Sequence, residues 1–324
     1  MIITKELFAN EIEKLQIDTE HCVIGLSGGA DSLCLTLLAN EYFKDIGISL
    51  HACIVDHKLR SESSTEILPI IEILNNQAIE YKVFVWEHEN NIKGSIEQKA
   101  RKARYDFLYQ YCKEVNAGVL MTAHHALDQW ETFFMRLSKG SSLKGLCCIK
   151  SISNFKDVLL VRPLLNFSPD TIKATLTHRF KIKNYVKDPS NNDDIYERVR
   201  WRKSYPELSK KYNLNIINIE KTINRLKLSN QFIDKIATEC YQRIFNGIYI
   251  DLKRYNELEL ELKVRILEKI INSKSPKGTH IVSYNLLVRV ANEICKKDFK
   301  AINLSRLVFR RDYTKNIKVL EEVR

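Results

Sequence analysis

A chain of 324 residues that is 44% hydrophobic and 28% charged has apolar material for one large or two medium cores, which excludes a disordered or fibrous protein. No apolar run approaches the roughly 20 residues that span a bilayer, and the N-terminus lacks a signal-peptide layout, so the expected compartment is the cytoplasm, with no membrane partner. The net charge of +11 and the pI of about 9.1 point to a polyanionic partner, nucleic acid before membrane.

In chain order, residues 6–16 carry the apolar spacing of a short amphipathic helix. Val23, Ile24 and Leu26 then form a buried-strand run, Gly28 and Gly29 a turn, and Asp31 and Ser32 the first turn of a helix to about residue 43. Residues 48–55 read as a second strand. A helix follows over 66–77, with Pro69 in its first turn. Residues 81–86 form a third strand and 95–115 a long helix capped by Ser95. Residues 118–122 form a fourth strand, 128–138 a helix and 158–161 a fifth strand. This alternation implies an α/β fold, a doubly wound, mainly parallel sheet covered on both faces, with ligands beyond the carboxyl ends of the strands. Past about Tyr205 the alternation stops, and residues 212–239, 258–271 and 286–296 carry helical spacing, with a small β element around 248–252. The chain thus reads as an α/β domain over 1–205 followed by a smaller, mostly helical domain over 206–324. Its eight cysteines contain no Cys-x-x-Cys, and Cys22, Cys34 and Cys53 sit among apolar residues, as reduced buried thiols do.

Five stretches carry chemistry. In Ser27-Gly28-Gly29-Ala30-Asp31-Ser32, a strand feeds a helix through glycines, so backbone N–H groups and the helix dipole favour phosphate. Asp31 can hold Mg²⁺ against phosphate oxygens. In residues 55–63 the backbone at Ile54 and Val55 can line an adenine, and Asp56 and His57 can orient nucleotide groups. On the long helix, Arg101 and Arg104 share a face suited to phosphate. After the fourth strand, Asp128 and Glu131 lie three apart on one helix face, able to bind Mg²⁺ or to hold an amine and take its proton. The adjacent His124 and His125 lack zinc-ligand spacing. A small-residue loop over 138–146 carries Lys139 and Lys144, which can close over a substrate. In residues 188–202, Arg198 and Arg202 face one way. The basic residues there are interleaved with Tyr196, Trp201, Tyr205 and Tyr212, a composition that suits RNA. A second basic cluster runs from Lys296 to Lys318. Each stretch alone also fits an ordinary solvated loop or helix face.

In this order, SGGADS, VDHKLRSES, ARKARY, TAHHALDQWETFFMRLSKGSSLKGL, RPLL and DPSNNDDIYERVRWR, over about residues 22–202, resemble the tRNA(Ile)-lysidine synthases. These are a branch of the N-type ATP pyrophosphatases, with a Rossmann-like, adenine nucleotide alpha hydrolase-like fold. The resemblance implies ATP-driven ligation of L-lysine to C2 of the wobble cytidine of a CAU-anticodon tRNA(Ile), through an adenylated cytidine, which changes decoding from AUG to AUA. It implies ATP binding by Ser27, Gly28, Gly29, Ala30, Asp31, Ser32, Val55 and His57, and Mg²⁺ on Asp31 with Asp128. Lysine falls to Asp128 and Glu131, the adenylated intermediate to His124, and the tRNA to Arg101, Arg104, Arg198 and Arg202, with Arg202 also catalytic; residues 1–205 are then the catalytic domain and 206–324 a tRNA-binding domain. The partners on this reading are tRNA(Ile) and L-lysine, with a homodimer allowed. Two positions depart from the family: Leu127 stands where a second acidic residue is frequent, and Trp130 where a small residue is usual. The rival readings are tRNA cytidine thiolation, which needs a cysteine pair, and a non-catalytic RNA-binding protein.

Overall fold

The computed structural model describes residues 1–58, 63–87, 96–186, 193–274 and 282–322. The expected cap Ser95, residues 59–62 of the second motif and residues 188–192 of the fifth lie outside the described residues. The chain divides into two compact units, Met1–Gly140 with Cys148–Thr222, and Ser141–Cys147 with Ile223–Arg324.

The elements of the larger unit begin with α1 (Lys5–Glu13), β1 (His21–Leu26), α2 (Ala30–Ile46), β2 (Ser49–Asp56), α3 (Ser63–Glu66), α4 (Leu68–Asn76) and β3 (Glu80–Val85). They continue with α5 (Ile96–Glu114), β4 (Val119–Met121) and α6 (Ala126–Ser138). A short α7 (Leu143–Leu146) belongs to the other unit. Then come β5 (Ile152–Phe155), β6 (Val158–Val161), α8 (Pro169–Ala174), a π-helical turn (Thr175–Arg179), α9 (Glu197–Tyr212) and α10 (Ile216–Ile244). The expected division at 205/206 falls within α9, which runs through Pro206.

The sheet has the order β3-β2-β1-β4-β6-β5. Every pairing is parallel except β5 with β6. Alternation along β1 decides which core each residue joins. Cys22, Ile24 and Leu26 face a core built with α2, α4 and α8. Val23 faces the opposite core, with Leu108 and Cys112 of α5. Helix α2 is buried nearly all round, since it packs on the strands and also beneath α1 and α8. It ends at Gly47, whose φ of 74° supplies the left-handed C-terminal turn. The fold is therefore the doubly wound α/β sheet expected. Strand β1 lies between β2 and β4, so the switch in strand order falls at its carboxyl end.

Strand β5 was not foreseen. It forms a hairpin with β6 through Lys156 (φ 55°) and Asp157, and its Ile-Ser-Asn-Phe has no strong β signal.

The smaller unit holds the rest of α10, then β7 (Tyr249–Ile250), α11 (Leu252–Asn256), α12 (Leu260–Lys274), α13 (Tyr284–Ile294), β8 (Ala301–Leu304), β9 (Leu307–Arg311) and β10 (Ile317–Glu321). Its core joins Leu267 and Ile270 of α12 and Val290 and Ile294 of α13 to Phe309, Ile317 and Val319. The unit is mostly helical, as expected, and the β element expected around 248–252 is the edge strand of an antiparallel sheet of order β7-β10-β9-β8, which makes up one side of that core. The loop expected to close over substrate is partly committed within this unit, where Lys144 pairs with Glu268 at 2.6 Å. All eight cysteines are free thiols. No helix among the described residues is long and apolar enough to cross a membrane.

Candidate functional site

The end of β1 turns into α2 through Ser27–Ser32. Gly28 takes φ 80°, and its carbonyl accepts from the Val186 amide at 3.0 Å. A Cβ at Gly28 would lie 2.8 Å from Val186 Cγ2. Both the angle and the space demand glycine. We expect Gly28→Ala to lower stability in urea melts by about 1–3 kcal/mol, whereas Gly29→Ala, at an ordinary angle, costs less. The loop is braced by its own hydroxyls: Ser27 Oγ and Ser32 Oγ are 3.0 Å apart, and Ser32 Oγ donates to the Gly29 carbonyl at 3.1 Å. Helix α2 has no side-chain cap, so its first-turn N–H groups are available to an external anion.

Asp31 sits in that first turn. Its Oδ1 is buried with no hydrogen-bond partner, and its Oδ2 is 3.7 Å from His125 Nε2. Burial raises the Asp31 carboxyl above its ordinary range, and neighbouring Asp128 adds to the rise while His125 opposes it.

Across the switch point, β4 leads into α6. The helix begins at Ala126, which makes His125 its N-cap. The His125 amide donates to Asp128 Oδ2 at 2.8 Å, and the Asp128 amide donates to His125 Nδ1 at 3.4 Å, a reciprocal cap. Burial would raise the Asp128 carboxyl, but His125, His124, Arg198 and the capping hydrogen bond outweigh it and hold Asp128 below the usual range. His125 thus links the two aspartates. Sequence reasoning missed its role, because only the helix start identifies it as the cap.

Glu131 lies one turn further along and is completely buried. Arg202 Nε donates to its Oε1 at 2.5 Å, and Arg198 Nε lies 3.0 Å from its Oε2, ion-paired but not aligned for a hydrogen bond. Arg202 Nη2 is also 3.8 Å from Asp128 Oδ1. Burial pushes the Glu131 carboxyl up, and the two arginines pull it back. Both cations come from α9, which an aromatic cluster pins to α6. Trp130 is fully buried, 4.8 Å from Tyr205 between ring centroids, and Phe134 stacks near Trp201 at 5.4 Å. The bulky residue at 130 is therefore the anchor that holds the arginine pair over Glu131.

His124 hydrogen-bonds Thr122 between Nδ1 and Oγ1 at 3.0 Å. Desolvation, joined by Arg162, Arg198 and Arg101, lowers its pKa to about 4, so the ring is neutral at physiological pH. Between that value and the ordinary 6.5 the folded state binds fewer protons than the unfolded chain, so His124 destabilises the fold as pH falls through this window. We expect an NMR titration to place His124 near pH 4, and His124→Gln to lose less stability than the parent between pH 7 and pH 5.

At the end of β2, Arg104 Nε donates to His57 Nε2 at 3.3 Å, and His57 meets Trp86 edge-on at 5.8 Å. Arg101 lies over the Tyr105 ring at 5.0 Å instead. Val55 packs into the core beneath α5. A further cation that was not singled out is Arg162, at the end of β6. One of its nitrogens donates to the Lys150 carbonyl and Ser153, yet its Nε is buried without a hydrogen bond. The signal available for it was an arginine before proline directly after a strand.

The described residues hold no group of three or more His, Cys, Asp or Glu disposed to bind a metal by themselves. The unpartnered Asp31 Oδ1 beside Asp128 fits Mg²⁺ whose other ligands are phosphate oxygens and water. The arrangement can hold a polyphosphate on the glycine loop and present carboxylates and guanidinium groups to whatever reacts beside it.

Comparison with known proteins gives this site its family. The model of the ATP-binding PP-loop domain matches residues 4–208. The chain is 31% identical to a tRNA(Ile)-lysidine synthase of Wolbachia pipientis over 328 aligned residues, covering 98% of this chain and 74% of that protein. Others of that name from Orientia tsutsugamushi and Chlamydia pneumoniae are 32% and 36% identical, and the chain spans 59% of each. Among solved structures, a U34-tRNA thiolase from Methanococcus maripaludis with its [4Fe-4S] cluster shares the fold, at a TM-score of 0.57 and 23% identity over 68% of this chain and 79% of that one. With its glycine loop at the switch point and relatives of one name along nearly its whole length, the chain belongs to the PP-loop family of ATP-utilising enzymes and, within it, to the tRNA(Ile)-lysidine synthases.

Proposed function

We propose that this ligase joins L-lysine to C2 of the wobble cytidine in a CAU-anticodon tRNA(Ile), using ATP and releasing AMP and pyrophosphate. The observation that carries the reading is the convergence of the glycine loop, the unpartnered Asp31 oxygen and the Asp128–Glu131–Arg198–Arg202 group beyond β1 and β4. ATP lies with its pyrophosphate against the N–H groups of Ser27–Ser32 and its adenine beside Val55 and His57. Mg²⁺ held by Asp31, with Asp128 beside it, neutralises phosphate charge when bound.

The cytidine C2 oxygen attacks the α-phosphate, a P–O bond forms as the bond to pyrophosphate breaks, and an adenylated cytidine results. Arg202 and Arg198 stabilise charge on the transferring phosphate, while Arg104 and Arg101 hold the tRNA backbone. His124, neutral at working pH, donates a hydrogen bond to the adenylated base from its free ring nitrogen. Lysine then enters with its ammonium on Asp128, which is the carboxylate held ionised. The proton leaves to Glu131 Oε2, the oxygen without an aligned hydrogen bond and on a carboxyl already raised by burial. The freed amine attacks C2, a C–N bond forms, and AMP departs.

The test is single-component omission with ATP, Mg²⁺, labelled lysine and a CAU-anticodon tRNA(Ile) transcript, followed by nucleoside mass analysis. A lysine–cytidine adduct that needs both ATP and this tRNA is the expected result. AMP formation without lysine incorporation, or transfer of sulfur instead, would overturn the choice of nucleophile.

A further inference from the structure

Three consecutive strands of the larger unit's sheet each deliver a different group at the carboxyl end. Strand β1 delivers the glycine loop, β4 delivers His124 and, through α6, Asp128 and Glu131, and β6 delivers Arg162. The last two are tied together: the Thr122 amide donates to the Val161 carbonyl at 3.0 Å, Thr122 Oγ1 lies 3.0 Å from His124 Nδ1, and Arg162 follows Val161 directly. Neighbouring strands lie about 4.8 Å apart. Arg162 therefore springs from one strand beyond β4, on the side away from the glycine loop.

Its side chain is held in place. Arg162 Nη1 donates to the Lys150 carbonyl at 2.8 Å and to Ser153 Oγ at 3.1 Å, both at the amino end of β5. That fixes one corner of the guanidinium. Nε, on the other edge, is buried with no hydrogen bond. The Nε edge of an arginine is one that takes a carboxylate side-on. The electrostatic neighbours of Arg162 are Tyr105 and a second cation, Arg101, with no acidic group among the described residues. Burial, with Arg101 behind it, disfavours the charge on Arg162, and Tyr105 offsets part of that. The other arginines of the site are engaged: Arg198 and Arg202 face Glu131, and Arg104 donates to His57. An orphaned buried donor is costly to keep and calls for a partner from outside.

Asp128 and Glu131 account for the reacting amine of lysine, but a site that reads only an amine accepts any alkylamine. The other end of lysine, beyond four methylenes and the Cα, carries a carboxylate. We infer that Arg162 binds the α-carboxylate of the lysine substrate through its Nε edge, with the amino acid lying across the ends of β4 and β6 and its side-chain amine turned towards Asp128 and Glu131. The inference rests on the ligase reading above and adds to it the residue that makes the site select an amino acid over a simple amine. A phosphate suits this edge less well, because the phosphates of ATP already have the glycine loop, Arg198 and Arg202.

The experiment is equilibrium dialysis of labelled L-lysine and, separately, of labelled cadaverine (lysine without its carboxylate) against the full chain with ATP and Mg²⁺, alongside thermal melts. The parent is expected to bind lysine more tightly than cadaverine. Arg162→Gln is expected to raise the lysine Kd about tenfold or more while moving the cadaverine Kd by less than about twofold. Arg162→Lys, which keeps the charge but not the fork, is expected to fall between the two for lysine, and it carries the comparison if Arg162→Gln folds poorly. A purely structural role would weaken both amines alike. That outcome overturns the inference, as does a parent that binds lysine no more tightly than cadaverine, or a variant that keeps the parent's lysine Kd. Lysine incorporation into tRNA by the parent is scored separately. If incorporation fails while Arg162→Gln still loses lysine and keeps cadaverine, the ligase reading falls and the carboxylate site stands. If incorporation succeeds while Arg162→Gln binds both amines as the parent does, the ligase reading stands and the carboxylate site falls.

Discussion

Asp31→Asn is expected to give a protein at least as stable as the parent that forms AMP about 100-fold or more slowly. The two effects share one cause. One oxygen of the Asp31 carboxylate is buried with no hydrogen-bond partner, and the neighbouring Asp128 is also negative. Without nucleotide, that charge is a strain that the fold tolerates, and burial raises its pKa accordingly. Asparagine keeps the shape and removes the charge. The sign of the pH dependence follows. A carboxyl whose folded pKa is raised is least favourable to the fold at neutral pH and becomes harmless once protonated. The stability gain of Asp31→Asn is therefore largest near pH 7 and closes as pH falls. Thermal melts at pH 7.5 and pH 4.5, with AMP release measured at saturating tRNA, check both parts. A variant that keeps full turnover would remove Asp31 from the phosphate-binding role. One that is inactive but also less stable at neutral pH would show that its carboxylate is structural.

What the sequence disclosed and concealed follows the same physics. Strands β1, β2, β4 and β6 were legible because parallel strands covered on both faces are mainly apolar runs, and the edge strand β3 because Tyr81, Val83, Phe84 and Val85 favour strand. The glycine loop was legible because few residues other than glycine can take the angle at position 28. Of the smaller unit's sheet only the element around β7 was legible, and β8 to β10 were not. Those strands are short and carry lysine and arginine on the outward face, so Leu307–Arg311 and Ile317–Glu321 read as parts of a basic cluster. The turn between β8 and β9 also lacks its usual marker, since Ser305 (φ 52°) and Arg306 (φ 63°) take the left-handed angles where Asn-Gly is expected. In the site, Asp128 and Glu131 were found as a pair on one helix face, yet their surroundings separate them. Asp128 is tied to the cap and Glu131 to two arginines, and neither tie can be seen before α6 is known to start at Ala126 and α9 to lie on it.

Arg202→Ala is expected to cost about 3 kcal/mol of stability at neutral pH, as well as most of the turnover. The guanidinium is one-third exposed and the Glu131 carboxylate is completely buried, so removing the arginine leaves the expensive partner behind. Arg198 remains 3.0 Å away but is not aligned for a hydrogen bond, and so compensates only in part. The Glu131 pKa, already above its ordinary value, then rises further. A carboxyl raised in the folded state contributes stability that is present at low pH and is lost as pH climbs through the raised value. The deficit of Arg202→Ala should therefore be largest near pH 7.5 and shrink towards pH 4.5, where Glu131 is protonated in the variant. Urea melts at the two pH values measure this directly. The double variant with Glu131→Gln should recover part of the lost stability at neutral pH without recovering lysine incorporation, because the buried charge is gone but so are the cation and the carboxylate that the proposed reaction uses. A deficit independent of pH would mean that Arg202 stabilises the unit by packing in the Trp130–Tyr205 cluster. The ion pair would then be incidental to how α9 is held.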